Sequence, residues 1–123
     1  MIKFLDIYNQ DKRVHKNIIN DIKKLITKGD FILGSAVNEF EKNFSKFCGS
    51  KYAISCANGT DAITLALKSL YLPKNSEVII PAMTYCATAF AILNANLKPV
   101  IVDVAKSSST IDIDEIKKKI SKK

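Results

Sequence analysis

A change of rhythm halfway along the chain constrains its fold more than any other feature. Residues 52–57, 78–80 and 100–104 are short apolar runs bounded by turn residues, a pattern that predicts buried strands. Between them, residues 60–70 and 88–94 are rich in Ala, Leu and Ile and long enough for helices. Strand, helix, strand, helix, strand is the order of a doubly wound α/β sheet. A last helix is predicted over 113–120, with Asp112 or Asp114 near its start, where a carboxylate favours the positive end of the helix dipole. With no strand after that helix, the sheet is expected to be incomplete, and an unpaired edge recruits further strands.

The first half has a different grammar. Val14, Ile18, Ile19, Ile22, Leu25 and Ile26 recur at helical spacing across residues 11–28, and Gly29 is placed to end that helix in a left-handed cap. A short loop over 30–34 leads to Ser35, the predicted N-cap of a second helix, whose Val37, Phe40, Phe44 and Phe47 share one face up to Gly49. That aromatic stripe is expected to be core.

Length and composition then limit the functional classes. A chain of 123 residues fits one domain, and its 47% hydrophobic and 25% charged content is that of an ordinary globular protein. No run approaches the ~18 apolar residues of a membrane span, and the first residues lack the apolar core of a signal peptide, so the expected location is cytoplasmic with no membrane partner. Cys48, Cys56 and Cys86 are odd in number and form no C-x-x-C pair, which predicts buried, reduced thiols rather than a disulfide framework or a metal site. The net charge of +7 invites a nucleic-acid reading, yet five lysines crowd the last seven residues without interleaved aromatics, the pattern of a solvated helix end.

Two segments can carry chemistry. Residues 55–62, Ser-Cys-Ala-Asn-Gly-Thr-Asp-Ala, place a glycine between a predicted strand and the start of a helix. There Gly59 lets a ligand approach the backbone, the first N–H groups of the helix point outward, and the Thr60 hydroxyl adds a donor for a phosphate. Asp61 would contribute its backbone N–H, not its carboxylate. The alternative is an ordinary turn in which Asn58 or Thr60 caps the helix. Residues 81–88, Pro-Ala-Met-Thr-Tyr-Cys-Ala-Thr, follow the second predicted strand, at the edge of an open α/β sheet where ligands collect. Tyr85 could stack there on a planar cofactor or lie buried in the core, while Thr84 and Thr88 are expected to cap the next helix and Cys86 to pack.

Together with Phe4-Leu5-Asp6, the 29–34 loop, residues 47–53, residues 98–104 and Ile111-Asp112, these segments make the chain resemble the DegT/DnrJ/StrS group of PLP-dependent nucleotide-sugar aminotransferases. The resemblance implies the N-terminal part of a fold-type I transferase large domain, an incomplete sheet with flanking helices. It implies a single partial domain over 1–123: helices and a substrate-side loop over 1–49, and the start of the α/β cofactor-binding domain over 50–123. By that likeness, Gly59, Thr60 and Asp61 bind the phosphate of pyridoxal 5'-phosphate, and Tyr85 stacks on its pyridine ring. Phe31 falls near the sugar substrate or the partner subunit, with packing as the rival role. The complete enzyme would be a homodimer taking a nucleotide-linked keto-sugar and an amino donor, glutamate.

PLP chemistry also needs a lysine amine that holds the cofactor and moves protons, and a carboxylate beside the pyridine nitrogen. Family members supply both from segments beyond the region matched, so no catalytic residue is assigned here and the 123-residue chain is expected to be inactive alone. Lys51, Lys74 and Lys98 fall in connections where solvated roles are expected, and Asp103 fits a turn or capping role. Two rivals stand beside this reading: an inactive truncated or split-gene product serving as a cofactor-binding or assembly module, and a related dehydratase in which the lysine is replaced.

Overall fold

The computed structural model describes residues 4–120. Its contacts divide into two units, Met1–Ser55 and Cys56–Lys123.

The first unit is helical: α1 (Ile7–Gln10), α2 (Lys12–Lys28) and α3 (Ser35–Cys48). Asp6 caps α1 by accepting the Asn9 N–H. Gly29 and Gly49 end α2 and α3 with φ of 66° and 65°, left-handed turns in which each glycine N–H returns to the last carbonyls of its helix. Gly34, not Ser35, is the N-cap position of α3; it has no side chain to offer, and the capping carboxylate comes instead from Asp30, as described below. Neither α2 nor α3 contains a buried residue. Among the described residues of this unit the expected aromatic core does not form: Phe40 and Phe44 stack on each other with centroids 5.5 Å apart, and Phe47 is 86% exposed. Helical spacing gathers apolar side chains on one face, but only another layer can bury that face.

The second unit runs α4 (Gly59–Ser69), β1 (Glu77–Pro81), α5 (Ala87–Asn94), β2 (Lys98–Val102) and α6 (Ile113–Lys119). The strands pair in parallel from Glu77↔Lys98 to Pro81↔Val102, and the Ala82 N–H extends the ladder to the Val102 carbonyl at 2.8 Å. Ile80, Ile92 and Leu97 form the core, with Leu67, Val78, Ala89 and Ala95 packed against it. Alternation along β2 is clear, because Val102 is buried while its neighbour Ile101 is 61% exposed. Asp112 caps α6 by accepting from the Asp114 and Glu115 N–H groups, as the acidic start of that helix predicted.

The predicted strand over 52–57 does not form; no ladder includes those residues. An apolar run becomes a strand only where a neighbour's free edge receives its N–H and C=O groups. The 55 N–H is taken instead by a side chain, Glu41 Oε1 of α3 at 2.6 Å. The third predicted strand stops at Val102, and Val104 makes an isolated antiparallel bridge to Ile111. All three cysteines are exposed, against the expectation of buried thiols, because each lies at an element boundary rather than on a packed face. No helix among the described residues is long and apolar enough to cross a membrane.

Candidate functional site

The two predicted segments meet through the geometry of the helices that follow them. Both α4 and α5 lead into the starts of parallel strands, so both helices begin at the opposite edge, where β1 and β2 end. Thr64 fixes their alignment: its Oγ1 bonds the Thr60 carbonyl one turn back at 3.0 Å and reaches the Ala91 carbonyl of α5 at 3.3 Å. Thr64 is buried, and this pairing satisfies its hydroxyl. One turn before that contact lie Thr60 on α4 and Ala87 on α5. Gly59, Thr60, Asp61 and Tyr85 therefore share the carboxyl edge of the strands, the place where open α/β sheets hold ligands.

At the start of α4, Asn58 is the cap. Its Oδ1 accepts the Asp61 N–H at 2.9 Å, and its Nδ2 donates to Asp61 Oδ2 at 3.0 Å. The Asp61 N–H, expected to face an anion, is thus occupied by Asn58 in this structure. The N–H groups of Gly59 and Thr60 and the Thr60 hydroxyl have no partner among the described residues. Nothing lies within 4 Å of where a Cβ would stand on Gly59, so the space over the positive end of the helix is open. These donors fit a phosphate.

Tyr85 lies on the loop between β1 and α5 and is 79% exposed in this chain, so none of the described residues buries it. No aromatic contact involves its ring among the described residues. Thr84 and Thr88 do not cap α5, whose N-cap is Cys86 without a side-chain bond; their hydroxyls instead lie 3.1 Å from each other. An exposed ring with an open face fits a planar heterocycle. That hydroxyl pair was missed by sequence reasoning, although its i, i+4 spacing across a loop-to-helix junction is visible there.

The other charged candidates behave as local structure. Lys98 Nζ is tied to Glu77 Oε1 at 2.9 Å, at the starts of the strands and so on the edge away from Thr60 and Tyr85. Lys74 precedes β1 on that same edge. Lys51, in the first unit, sits 5.1 Å over the Tyr52 ring. Asp103 accepts the N–H of its neighbour Val104 at 2.8 Å, the turn role expected for it. Lys117 and Lys118 pair with Asp114 and Glu115 along α6, while Lys122 and Lys123 lie outside the described residues.

In the first unit, the loop containing Phe31 is held by Asp30, whose Oδ2 accepts from both the Ser35 hydroxyl, at 2.6 Å, and the Ser35 N–H, at 2.9 Å. The hydroxyl first and the N–H second hold the Asp30 carboxyl below the ordinary carboxylate value. A groove of about 590 Å³ opens between α2 and α3, but its walls set Lys24 and Lys28 against Asp21 and Glu39. Mixed charge offers an anion no consistent field, and none of the predicted site residues lines it.

Comparison with known proteins gives a consistent result. The profile of the DegT/DnrJ/EryC1/StrS aminotransferase family matches residues 12–123. The UDP-2-acetamido-2-deoxy-3-oxo-D-glucuronate aminotransferase of Pseudomonas aeruginosa is 40% identical over 112 residues, 91% of this chain and 31% of that protein. The crystal structure of S. venezuelae DesV superposes with a TM-score of 0.92 at 28% identity, over 98% of this chain and 33% of DesV. Bacillus subtilis NtdA, solved with bound cofactor PMP, superposes with a TM-score of 0.87 at 30% identity, over 99% of this chain and 29% of NtdA. The chain thus spans about a third of the length of the proteins it matches.

Proposed function

This chain belongs to the DegT/DnrJ/EryC1/StrS aminotransferase family, and from that premise we propose that it forms the phosphate-binding and ring-stacking part of a PLP-dependent sugar aminotransferase. The substrate is a keto-sugar carried on a nucleotide, glutamate is the amino donor, and the working enzyme is a homodimer. Named relatives acting on nucleotide sugars support the substrate class. One observation carries the site assignment: the Gly59 and Thr60 N–H groups, without a partner among the described residues, open onto the same sheet edge as the exposed Tyr85 ring.

Each residue then has a distinct task. Gly59 and Thr60 donate backbone N–H groups to the phosphate, where the helix dipole adds its field, and the Thr60 hydroxyl supplies a third donor. Asp61 closes the turn through Asn58 and so keeps those donors aimed outward. Tyr85 covers one face of the pyridine ring. Bound there, PLP supplies an electron sink for the bond changes at the amino-bearing carbon. The amine that holds PLP does not come from Lys98 or Lys74, which occupy the other edge. Because family members supply that amine from segments beyond the region matched here, the 123-residue chain by itself should not turn over glutamate and a keto-sugar.

Gly59 provides the test. An added methyl there would meet no protein atom, and alanine is the better helix former, so Gly59→Ala should leave the thermal midpoint unchanged or slightly raised. In the proposed site, that methyl would crowd a phosphate drawn to the Gly59 and Thr60 N–H groups. Binding of PLP and of pyridoxal, which lacks the phosphate, is measured on the intact protein before and after the change. The expected result is a PLP preference in the wild type that falls about tenfold or more in Gly59→Ala, the scale of one or two charge-assisted hydrogen bonds. Equal PLP affinity in both proteins would remove the phosphate assignment.

A further inference from the structure

We infer that Thr84 and Thr88 are positioning residues for the Tyr85 ring; the inference rests on the reading of Tyr85 as the stacking ring. The two hydroxyl oxygens lie 3.1 Å apart across the loop that carries Tyr85. The Thr88 N–H also donates to the Tyr85 carbonyl at 3.0 Å. Residue 85 is thus enclosed by two bonds that both end on Thr88, one from its own carbonyl and one from the residue before it.

The Tyr85 ring itself is 79% exposed and has no aromatic contact among the described residues. Among the described residues no layer buries the ring, so what this chain holds in place is the loop backbone from which the ring projects. A ring that must lie flat on a heterocycle binds best when its direction is held before the ligand arrives, because ordering it afterwards subtracts from affinity. The hydroxyls have no competing duty in starting α5, since Cys86 occupies the N-cap and makes no side-chain cap bond. What they join is the two ends of the Tyr85 loop.

The experiment is a double-mutant cycle on the intact protein. Thr88→Val keeps the β-branched shape and removes only the hydroxyl, Thr88→Ser keeps the hydroxyl, and Tyr85→Leu removes the ring. PLP dissociation constants and the circular dichroism induced in bound PLP at saturation are measured for each, and for Thr88→Val combined with Tyr85→Leu. Thr88→Val should weaken PLP binding about three- to tenfold, the worth of one neutral hydrogen bond, and change the induced signal. Thr88→Ser should restore both. In the Tyr85→Leu background Thr88→Val should add nothing, because its effect passes through the ring. The exposed Thr84→Val should reproduce Thr88→Val and carries the test if the half-buried position does not tolerate change. An undiminished effect of Thr88→Val in the Tyr85→Leu background, or wild-type affinity and signal in both valine variants, overturns the inference while leaving the stacking reading intact. Wild-type PLP binding by Tyr85→Leu overturns the stacking reading, and this inference with it.

Discussion

Asp30 organises the connection between α2 and α3 with a single carboxylate oxygen, which receives both the hydroxyl and the N–H of Ser35. The glycine at 34 belongs to the same device: a Cβ there would collide with the Asp30 carboxylate and carbonyl. Phe31, Ile32 and Leu33 are left on the surface between these anchors, and Leu33 takes the left-handed φ of 48°. Because its partners hold the folded Asp30 pKa below the unfolded value of about 3.9, the unfolded chain binds a proton first as pH falls. The stabilisation is present above that unfolded value and is lost as pH drops through the lower, folded one. The thermal midpoint of the wild type should therefore exceed that of Asp30→Ala at pH 7, and the gap should close toward pH 2. A gap of the same size at both pH values would show that the carboxylate charge contributes nothing.

Among the elements, α4 is started by the residue before it, its N-cap Asn58. Asn58 holds an extended backbone and accepts the Asp61 N–H, while its amide returns a bond to the Asp61 carboxylate. Asparagine and serine are equally good N-caps, and alanine is a poor one. Asn58→Ala should destabilise the protein by about 1 kcal/mol in chemical denaturation, and Asn58→Ser, which keeps a cap acceptor without setting a second carboxylate against Asp61, by less. Equal losses in the two variants would mean that the cap bond does not hold the helix. The elements also show where sequence patterns run out. The amphipathic period of α2, the glycine stops of α2 and α3 and the acidic start of α6 were legible because each is a local interaction within one turn. The strand over 52–57 was not, since its apolar content says nothing about whether an edge is free to pair with it.

At the scale of the whole chain, burial is concentrated in one place. Ile92 is 1% exposed and lies with Ile80 and Leu97 between α5 and the two strands, whereas Phe47, one of the aromatic residues expected to be core, is 86% exposed. Ile92→Ala should cost about 2–5 kcal/mol, and Phe47→Ala in the 123-residue chain less than about 0.5 kcal/mol. Comparable losses on denaturant unfolding would contradict this distribution of packing. The sequence alone determined the alternating α/β order of the second half, the two segments able to meet a phosphate and an aromatic ligand face, and the likeness to sugar aminotransferases, since turn residues, periodicity and short motifs act over a few neighbouring positions. Only the tertiary structure decided that Asn58 rather than Thr60 caps α4, that Tyr85 is exposed, and that Thr60 and Tyr85 share one edge while Lys98 holds the other. The shared edge follows from the parallel register of β1 and β2 and the bond from Thr64 to Ala91, contacts between residues more than twenty positions apart that no local pattern encodes, whereas the cap is a bond over three positions for which Asn58 and Thr60 were both eligible.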